Sequence, residues 1–180
     1  NPTGSVYSQE ELDKLAAIIC NHEDLYVLAD EIYEHINYIG KHASIARAKG
    51  MKERAIIVNG VSKAYAMTGW RIGYIAAPEW IVKGCNKLQG QYTSGPCSVS
   101  QKAAEAAYTL DQGCVEEMRQ AFERRRNLIV ELAKAIPGLE VNVPEGAFYL
   151  FPKCSSFFGK SDGITTIGNS TDLAMYLLEK

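Results

Sequence analysis

Gly60-Val61-Ser62-Lys63-Ala64-Tyr65-Ala66-Met67-Thr68-Gly69-Trp70-Arg71-Ile72-Gly73 is the stretch on which the reading of the fold turns. Two short apolar runs bound it: 55–58, closing on Asn59-Gly60, and 72–77, closed by Pro78. Both have the length and composition of buried strands. A lysine in the loop after such a strand is easily desolvated, which lowers its pKa and leaves a neutral amine. A neutral amine can form an imine with an aldehyde. An arginine eight residues further on can fold back and clamp a phosphate bidentately. Taken singly, Lys63 would far more often be a surface lysine, and Arg71 could be an ordinary salt-bridge partner.

Working outward, 25–29 is a third apolar run and ends at Asp30. Ser8-Gln9-Glu10-Glu11 is a capping box ahead of Leu12, Leu15, Ala16 and Ile19, so a helix is expected over about 8–22. Helical patterns follow at 79–90, 97–110 and 114–136, the last with Val115, Met118, Phe122, Leu128, Ile129 and Leu132 as its apolar stripe and Pro137-Gly138 as its stop. Then come two short strand candidates, 140–143 and 147–151, a Gly/Ser/Thr-rich loop, and a final helix from Ser170 or Thr171. Strands alternating with helices predict an α/β layer with a mainly parallel sheet, followed by a smaller α+β unit. The expected division is 1–113, a connecting helix 114–136, and 137–180. Ligands of open α/β sheets gather at the carboxyl ends of the strands, where Asp30, Lys63 and Arg71 all lie.

Bulk properties narrow the class. The formal charge of −2 over 180 residues, with no basic run beyond Arg124-Arg125-Arg126, argues against a nucleic-acid-binding surface. No apolar stretch reaches the roughly 18 residues that span a bilayer, and no signal peptide is visible. The five cysteines are scattered and form no CxxC pair, so reduced, mostly buried thiols in a cytoplasmic protein are expected. His22, His35 and His42 show no metal-ligand spacing and read as surface or loop residues, so no metal site is expected. The chain opens on Asn1-Pro2-Thr3-Gly4 without Met and closes at Glu179-Lys180 inside a helical pattern, as a piece of a longer protein would.

The 60–73 stretch resembles the cofactor-lysine signature of class I aminotransferases at each restricted position. The form Lys-Ala-Tyr-Ala-Met-Thr-Gly-Trp-Arg-Ile-Gly-Tyr is especially similar to prokaryotic-type aspartate aminotransferases. Asn1-Pro2-Thr3-Gly4 looks like the family's Asn-Pro-Thr-Gly turn, and Asp30-Glu31-Ile32-Tyr33 like its strand-end Asp followed by Tyr. The resemblance implies part of a fold type I large domain, with pyridoxal 5′-phosphate held as a Schiff base on Lys63. It further implies Asp30 at the pyridine nitrogen, Asn1 and Tyr33 at the 3′-oxygen, and Arg71 at the phosphate. Many relatives carry a hydroxyl residue three positions before the lysine; here Gly60 stands there, and Ser62 is the hydroxyl left to contact the phosphate. Gly146-Ala147-Phe148-Tyr149 resembles a small-domain segment facing the active site, though two aromatics in a strand core read equally well. Gln91-Tyr92-Thr93-Ser94 resembles a loop near the family's dimer interface.

The implied reaction moves an amino group between an amino acid, aspartate first, and a 2-oxo acid, in a homodimeric enzyme. Lys63 would be covalent anchor and then proton shuttle. Alternatives that use the same residues are other amino donors, a carbon–sulfur lyase, or a non-catalytic remnant. The phosphate loop, the ring-stacking aromatic and the α-carboxylate arginine of the family have no counterpart in these 180 residues, so the isolated chain is expected to be inactive.

Overall fold

In the computed structural model, which describes residues 1–180, the capping box closes as the sequence predicts. Ser8 Oγ accepts the Glu11 N–H at 3.2 Å, and Glu11 Oε2 accepts the Ser8 N–H at 2.8 Å. Each bond satisfies a donor that the first helical turn leaves without a partner. Helix α1 (Gln9–Ile19) follows and turns Leu12 and Ala16 inward.

The chain divides into two compact units, Val6–Phe122 and Asn1–Ser5 with Glu123–Lys180. In the first, β1 (Val27–Asp30), β2 (Ala55–Gly60) and β3 (Gly73–Ala76) form a sheet in the order β1-β2-β3. Strands β1 and β2 are parallel, with Val27 opposite Ala55 and Asp30 opposite Val58. Strand β3 is antiparallel to β2, Ile57 facing Ala76 and Gly60 facing Gly73. The sheet is therefore mixed rather than mainly parallel. The reason lies in the connections: 31–54 is long enough to return the chain to the same end, whereas 61–72 holds only a turn of 3-10 helix at Thr68–Trp70 and no crossover helix.

Leu12 and Ala16 of α1 meet Ile45, Ala48, Met51 and Ala55 in one buried cluster, with Val27, Ala29 and Ile57 of the sheet against it. Met51 is wholly buried, a contribution of about 1.5–3 kcal/mol for a side chain of that size. The other face of β1 is open, and Leu28 is 68% exposed. So β1 alternates in burial instead of being buried on both sides, as its apolar run suggests. Helices α2 (Glu79–Tyr92) and α3 (Ser98–Thr109) follow the sheet. Four of the five cysteines are exposed and Cys154 is half-buried; the expectation of buried thiols fails because most of them lie on solvent-facing sides of helices or at helix ends.

Helix α4 (Gly113–Lys134) carries the chain into the second unit. There its buried face is Val130 and Ala133, with Arg126 half-buried, while Leu128, Ile129 and Leu132 are exposed. The expected stripe thus holds at Val115, Met118 and Phe122, which are buried or half-buried, and fails beyond them, where the face spaced as 126, 130 and 133 is the buried one and Arg126 donates to the Pro144 carbonyl. The two predicted strands beyond Gly138 are absent as strands. Glu140 and Lys153 make one isolated antiparallel bridge, and Ala147 takes φ +57°, a left-handed conformation no strand residue holds. Phe148 and Tyr149 accordingly lie on exposed chain. Helix α5 (Ser170–Glu179) is capped by Asn169, whose Oδ1 accepts the Thr171 and Asp172 N–H groups at 2.8 and 3.0 Å.

The Asn1–Gly4 turn belongs to this second unit. The Gly4 carbonyl accepts the N–H groups of Glu145 and Gly146, and Asn142 Nδ2 donates to the Thr3 carbonyl at 2.8 Å. Gly4 has φ +73°, and a Cβ there would sit 2.5 Å from the Pro144 Cβ. Both facts require glycine.

Candidate active site

The register of the sheet gathers the chemistry. Asp30 ends β1 opposite Val58, so the carboxyl ends of parallel β1 and β2 share one edge of the sheet. Gly60 ends β2 opposite Gly73, which begins β3. Residues just beyond Gly60 and just before Gly73 therefore emerge at that same edge: Ser62 and Lys63 on one side, Arg71 on the other. The carboxyl-end placement expected from the sequence holds for Asp30 and Lys63; Arg71 instead precedes the amino end of β3, whose antiparallel direction delivers it to the same edge.

Asp30 Oδ1 accepts the Ile32 N–H at 3.1 Å, which fixes the plane of its carboxylate. The Glu31 N–H goes on to the Val58 carbonyl at 2.9 Å, extending the β1–β2 ladder past Asp30. This brings Tyr33 back toward the lysine loop, and Lys63 Nζ lies 5.9 Å from the centre of the Tyr33 ring. Lys63, Ser62 and Tyr33 are all half-buried. Arg71 is exposed, adopts φ 55° and ψ 47°, and donates from its guanidinium to the Thr68 carbonyl at 2.9 Å. Asn1 lies in the unit that contains α5 and is exposed.

Gly60 is explained by packing. A Cβ on it would meet the Ile72 carbonyl oxygen at 2.8 Å and the Gly73 Cα at 2.9 Å. A hydroxyl residue cannot stand there unless β3 shifts, so Ser62 is the hydroxyl nearest in sequence to Lys63.

Several residues around the lysine were not singled out from the sequence. Asn59 is 5% exposed and its Oδ1 accepts the Gly60 N–H at 2.7 Å. Glu34 and His35 form an ion pair at 3.0 Å. His35 holds the Glu34 carboxyl below its ordinary range, with His42 and a hydrogen bond from Asn59 adding to the effect. Glu34 in turn raises the His35 imidazole. Tyr65, two residues after Lys63, donates to Gln112 Oε1 at 2.8 Å, and its ring meets His35 at 6.2 Å and Tyr108 at 5.1 Å, both edge-on. Burial pushes the Tyr65 and Tyr108 phenols up. The adjacency of Glu34-His35 to Tyr33 was the available signal.

His35 and His42 are half-buried and carboxylate-paired, not free surface residues. His42 Nε2 lies 2.9 Å from Glu31 Oε2, though not aligned for a hydrogen bond, and Glu31 also accepts the Ser44 hydroxyl at 2.7 Å. One potential ligand atom each from Glu31, Glu34 and His42 lies within 4.8 Å of the others, a grouping that could face a cation. Two imidazoles and a hydroxyl already answer these two carboxylates, so the cluster holds the 31–44 segment together. An open cavity of about 480 Å³ is lined by Glu34, His35, His42, Arg47 and Arg119 among others, but by neither Asp30, Lys63 nor Arg71.

The sequence profile of aminotransferase class I and II matches residues 1–180. The chain is 48% identical to the bifunctional aspartate aminotransferase and glutamate/aspartate-prephenate aminotransferase of Petunia hybrida, covering 100% of this chain and 39% of that protein. It is 43% identical to an aspartate aminotransferase of Rhizobium meliloti, covering 99% of this chain and 44% of that one. A crystal structure of the aspartate aminotransferase from Rhizobium meliloti superposes with a TM-score of 0.95 at 43% identity, over 100% of this chain and 46% of that chain. An aromatic aminotransferase from Pyrococcus horikoshii superposes with a TM-score of 0.81 at 44% identity, over 85% of this chain and 41% of that chain. The chain spans less than half the length of these relatives.

Proposed function

This chain belongs to the class I and II aminotransferases, and on that premise we propose that it is the Lys63-bearing part of an enzyme moving an amino group from an amino acid, aspartate first, to a 2-oxo acid. One observation carries the reading: Asp30, Lys63 and Arg71 emerge at a single edge of the sheet, within a chain that matches the family from end to end.

The donor set suits pyridoxal 5′-phosphate. Lys63 offers a half-buried amine beside the Tyr33 ring, and Asp30 offers a carboxylate oriented by the Ile32 N–H. Bound there, the cofactor supplies an aldehyde for covalent capture of amines and a pyridinium ring that draws electrons from the substrate's Cα. Lys63 would anchor it covalently and, once released, take and return the proton at the substrate carbon through Nζ. Asp30 would keep the ring nitrogen protonated. Tyr33 and Asn1 would hydrogen-bond the 3′-oxygen, and Ser62 with Arg71 would hold the phosphate. For Arg71 this means exchanging its bond to the Thr68 carbonyl for a bidentate contact with the anion.

On this reading 1–113 belongs to the large cofactor-binding domain, 114–136 is the connecting helix and 137–180 begins the smaller domain. The full-length protein would be a cytoplasmic homodimer, and the 180-residue chain alone would lack turnover. The test is a spectral titration of full-length protein with pyridoxal phosphate, with Lys63→Ala beside it. The visible band should form in the wild type and vanish in the variant; an unchanged band in Lys63→Ala would overturn the assignment.

A further inference from the structure

The lysine loop is gripped on both flanks by two consecutive residues of the segment opposite. Before the lysine, the buried Asn59 side chain accepts the Gly60 N–H at 2.7 Å, and its amide helps hold the Glu34 carboxyl below its ordinary range. After it, Tyr65 presents its ring to the edge of His35, centroids 6.2 Å apart. Glu34 and His35 are joined to each other at 3.0 Å. They directly follow Tyr33, the residue whose ring lies beneath Lys63 Nζ. A continuous path thus runs Gly60–Asn59–Glu34–His35–Tyr65, closing a ring around Lys63.

We infer that Glu34 and His35 are positioning residues: together they bridge Asn59 to Tyr65 and hold Lys63 over Tyr33, in register with Asp30. The inference rests on the aminotransferase reading for what Lys63 captures, but the grip itself is a property of this chain. The argument is one of entropy. A lysine side chain carries close to 2 kcal/mol of rotamer freedom, and a loop of irregular backbone adds its own; a group that must meet a carbonyl carbon within bonding reach gains when that freedom is removed beforehand. Neither half of the bridge suffices. Asn59 fixes only the strand end, and Tyr65 otherwise rests on Gln112 and Tyr108, which belong to α3 and the linker behind it, not to the Asp30–Tyr33 turn. Glu34-His35 ties the lysine loop to that turn on both sides. Both side chains are less than half exposed, at 26% and 39%, so the pair is partly shielded from screening.

The experiment is site-selective capture in the full-length protein. Cofactor-free protein is given pyridoxal phosphate at stoichiometric concentration, fixed with borohydride, and the labelled lysines are read by peptide mass. In the wild type the label should fall mainly on Lys63. Glu34→Ala should lower the share on Lys63 several-fold, and Glu34→Gln, which keeps an acceptor for His35, should recover most of it. Leu12→Ala serves as control, since it weakens the core without touching the bridge and should leave the share unchanged. If Glu34→Ala does not fold, His35→Phe, which keeps a ring against Tyr65 but frees Glu34, should lower the share instead. A share on Lys63 that is the same in Glu34→Ala and His35→Phe as in the wild type overturns the inference, as does an equal fall in Leu12→Ala. Absence of Lys63 label in the wild type would strike the aminotransferase reading instead, and is distinct from both.

Discussion

Gly60 of β2 faces Gly73 of β3 so closely that a Cβ on Gly60 would come within 2.9 Å of the Gly73 Cα. Two glycines thus let the strands carrying the lysine loop and its arginine draw together. Gly60→Ser, which would place a hydroxyl three residues before Lys63, is expected to destabilise the protein by about 1–3 kcal/mol through overpacking. Denaturant unfolding at equilibrium checks this, and a midpoint equal to wild type would mean that β3 yields without cost.

Asp30→Asn keeps an oxygen for the Ile32 N–H and removes the charge. The turn should therefore survive, with a melting temperature near wild type, while kcat/KM of the full-length enzyme falls by about 10²-fold or more, as for loss of an electrostatic group at a reacting centre. Steady-state kinetics beside a melting curve separates the two effects. Activity within a few-fold of wild type would remove Asp30 from the ring nitrogen.

The Glu34–His35 pair gives stability a pH signature. His35 is raised above its ordinary 6.5, so its contribution is complete below that value and is lost as pH rises through the folded-state pKa. Glu34 is lowered from 4.5, so its contribution is complete above that value and is lost as pH falls through its own folded-state pKa. The two overlap fully between pH 4.5 and 6.5. The melting-temperature difference between wild type and Glu34→Gln should be widest in that window and shrink above it; a difference that grows steadily toward alkaline pH would contradict the pairing.

Gly4→Ala combines a left-handed backbone with a contact at 2.5 Å to the Pro144 Cβ. A loss of about 1–3 kcal/mol is expected. Hydrogen exchange should localise it, with the Glu145 and Gly146 amides losing protection first. Uniform loss across the β1–β2 amides would point elsewhere.

Ser8→Ala removes one partner of the capping box and should cost about 1 kcal/mol, read as a shift in the denaturation midpoint without change in slope.

Much of this was legible in the sequence because it is local. The capping box at Ser8, the strand ends at Asp30 and Gly60 and the helix starts depend on neighbours a few residues away. The orientation of β3 was not legible, because an apolar run between 72 and 77 has the same composition in either direction. The exposed face of α4 was misjudged since Leu128, Ile129 and Leu132 satisfy helical spacing as well as Val130 and Ala133 do. The buried side is the one that carries Arg126, which reaches the Pro144 carbonyl across 18 residues of sequence. In the site, Lys63, Asp30 and Arg71 were named by their motif. Glu34, His35 and Asn59 were not, because they are brought together only when two strand ends lie side by side.

The bond from Asn142 to the Thr3 carbonyl joins residues 139 apart in sequence. At about 5–20 residues per second of synthesis, the Thr3–Gly4 turn waits on the order of ten seconds before its partner exists. Asp30, Glu34, Asn59 and Lys63, by contrast, leave the ribosome close together. The sheet edge with its lysine can thus assemble while the chain is still growing, whereas the unit holding Asn1 is completed late, on a timetable set by translation rather than by chemistry.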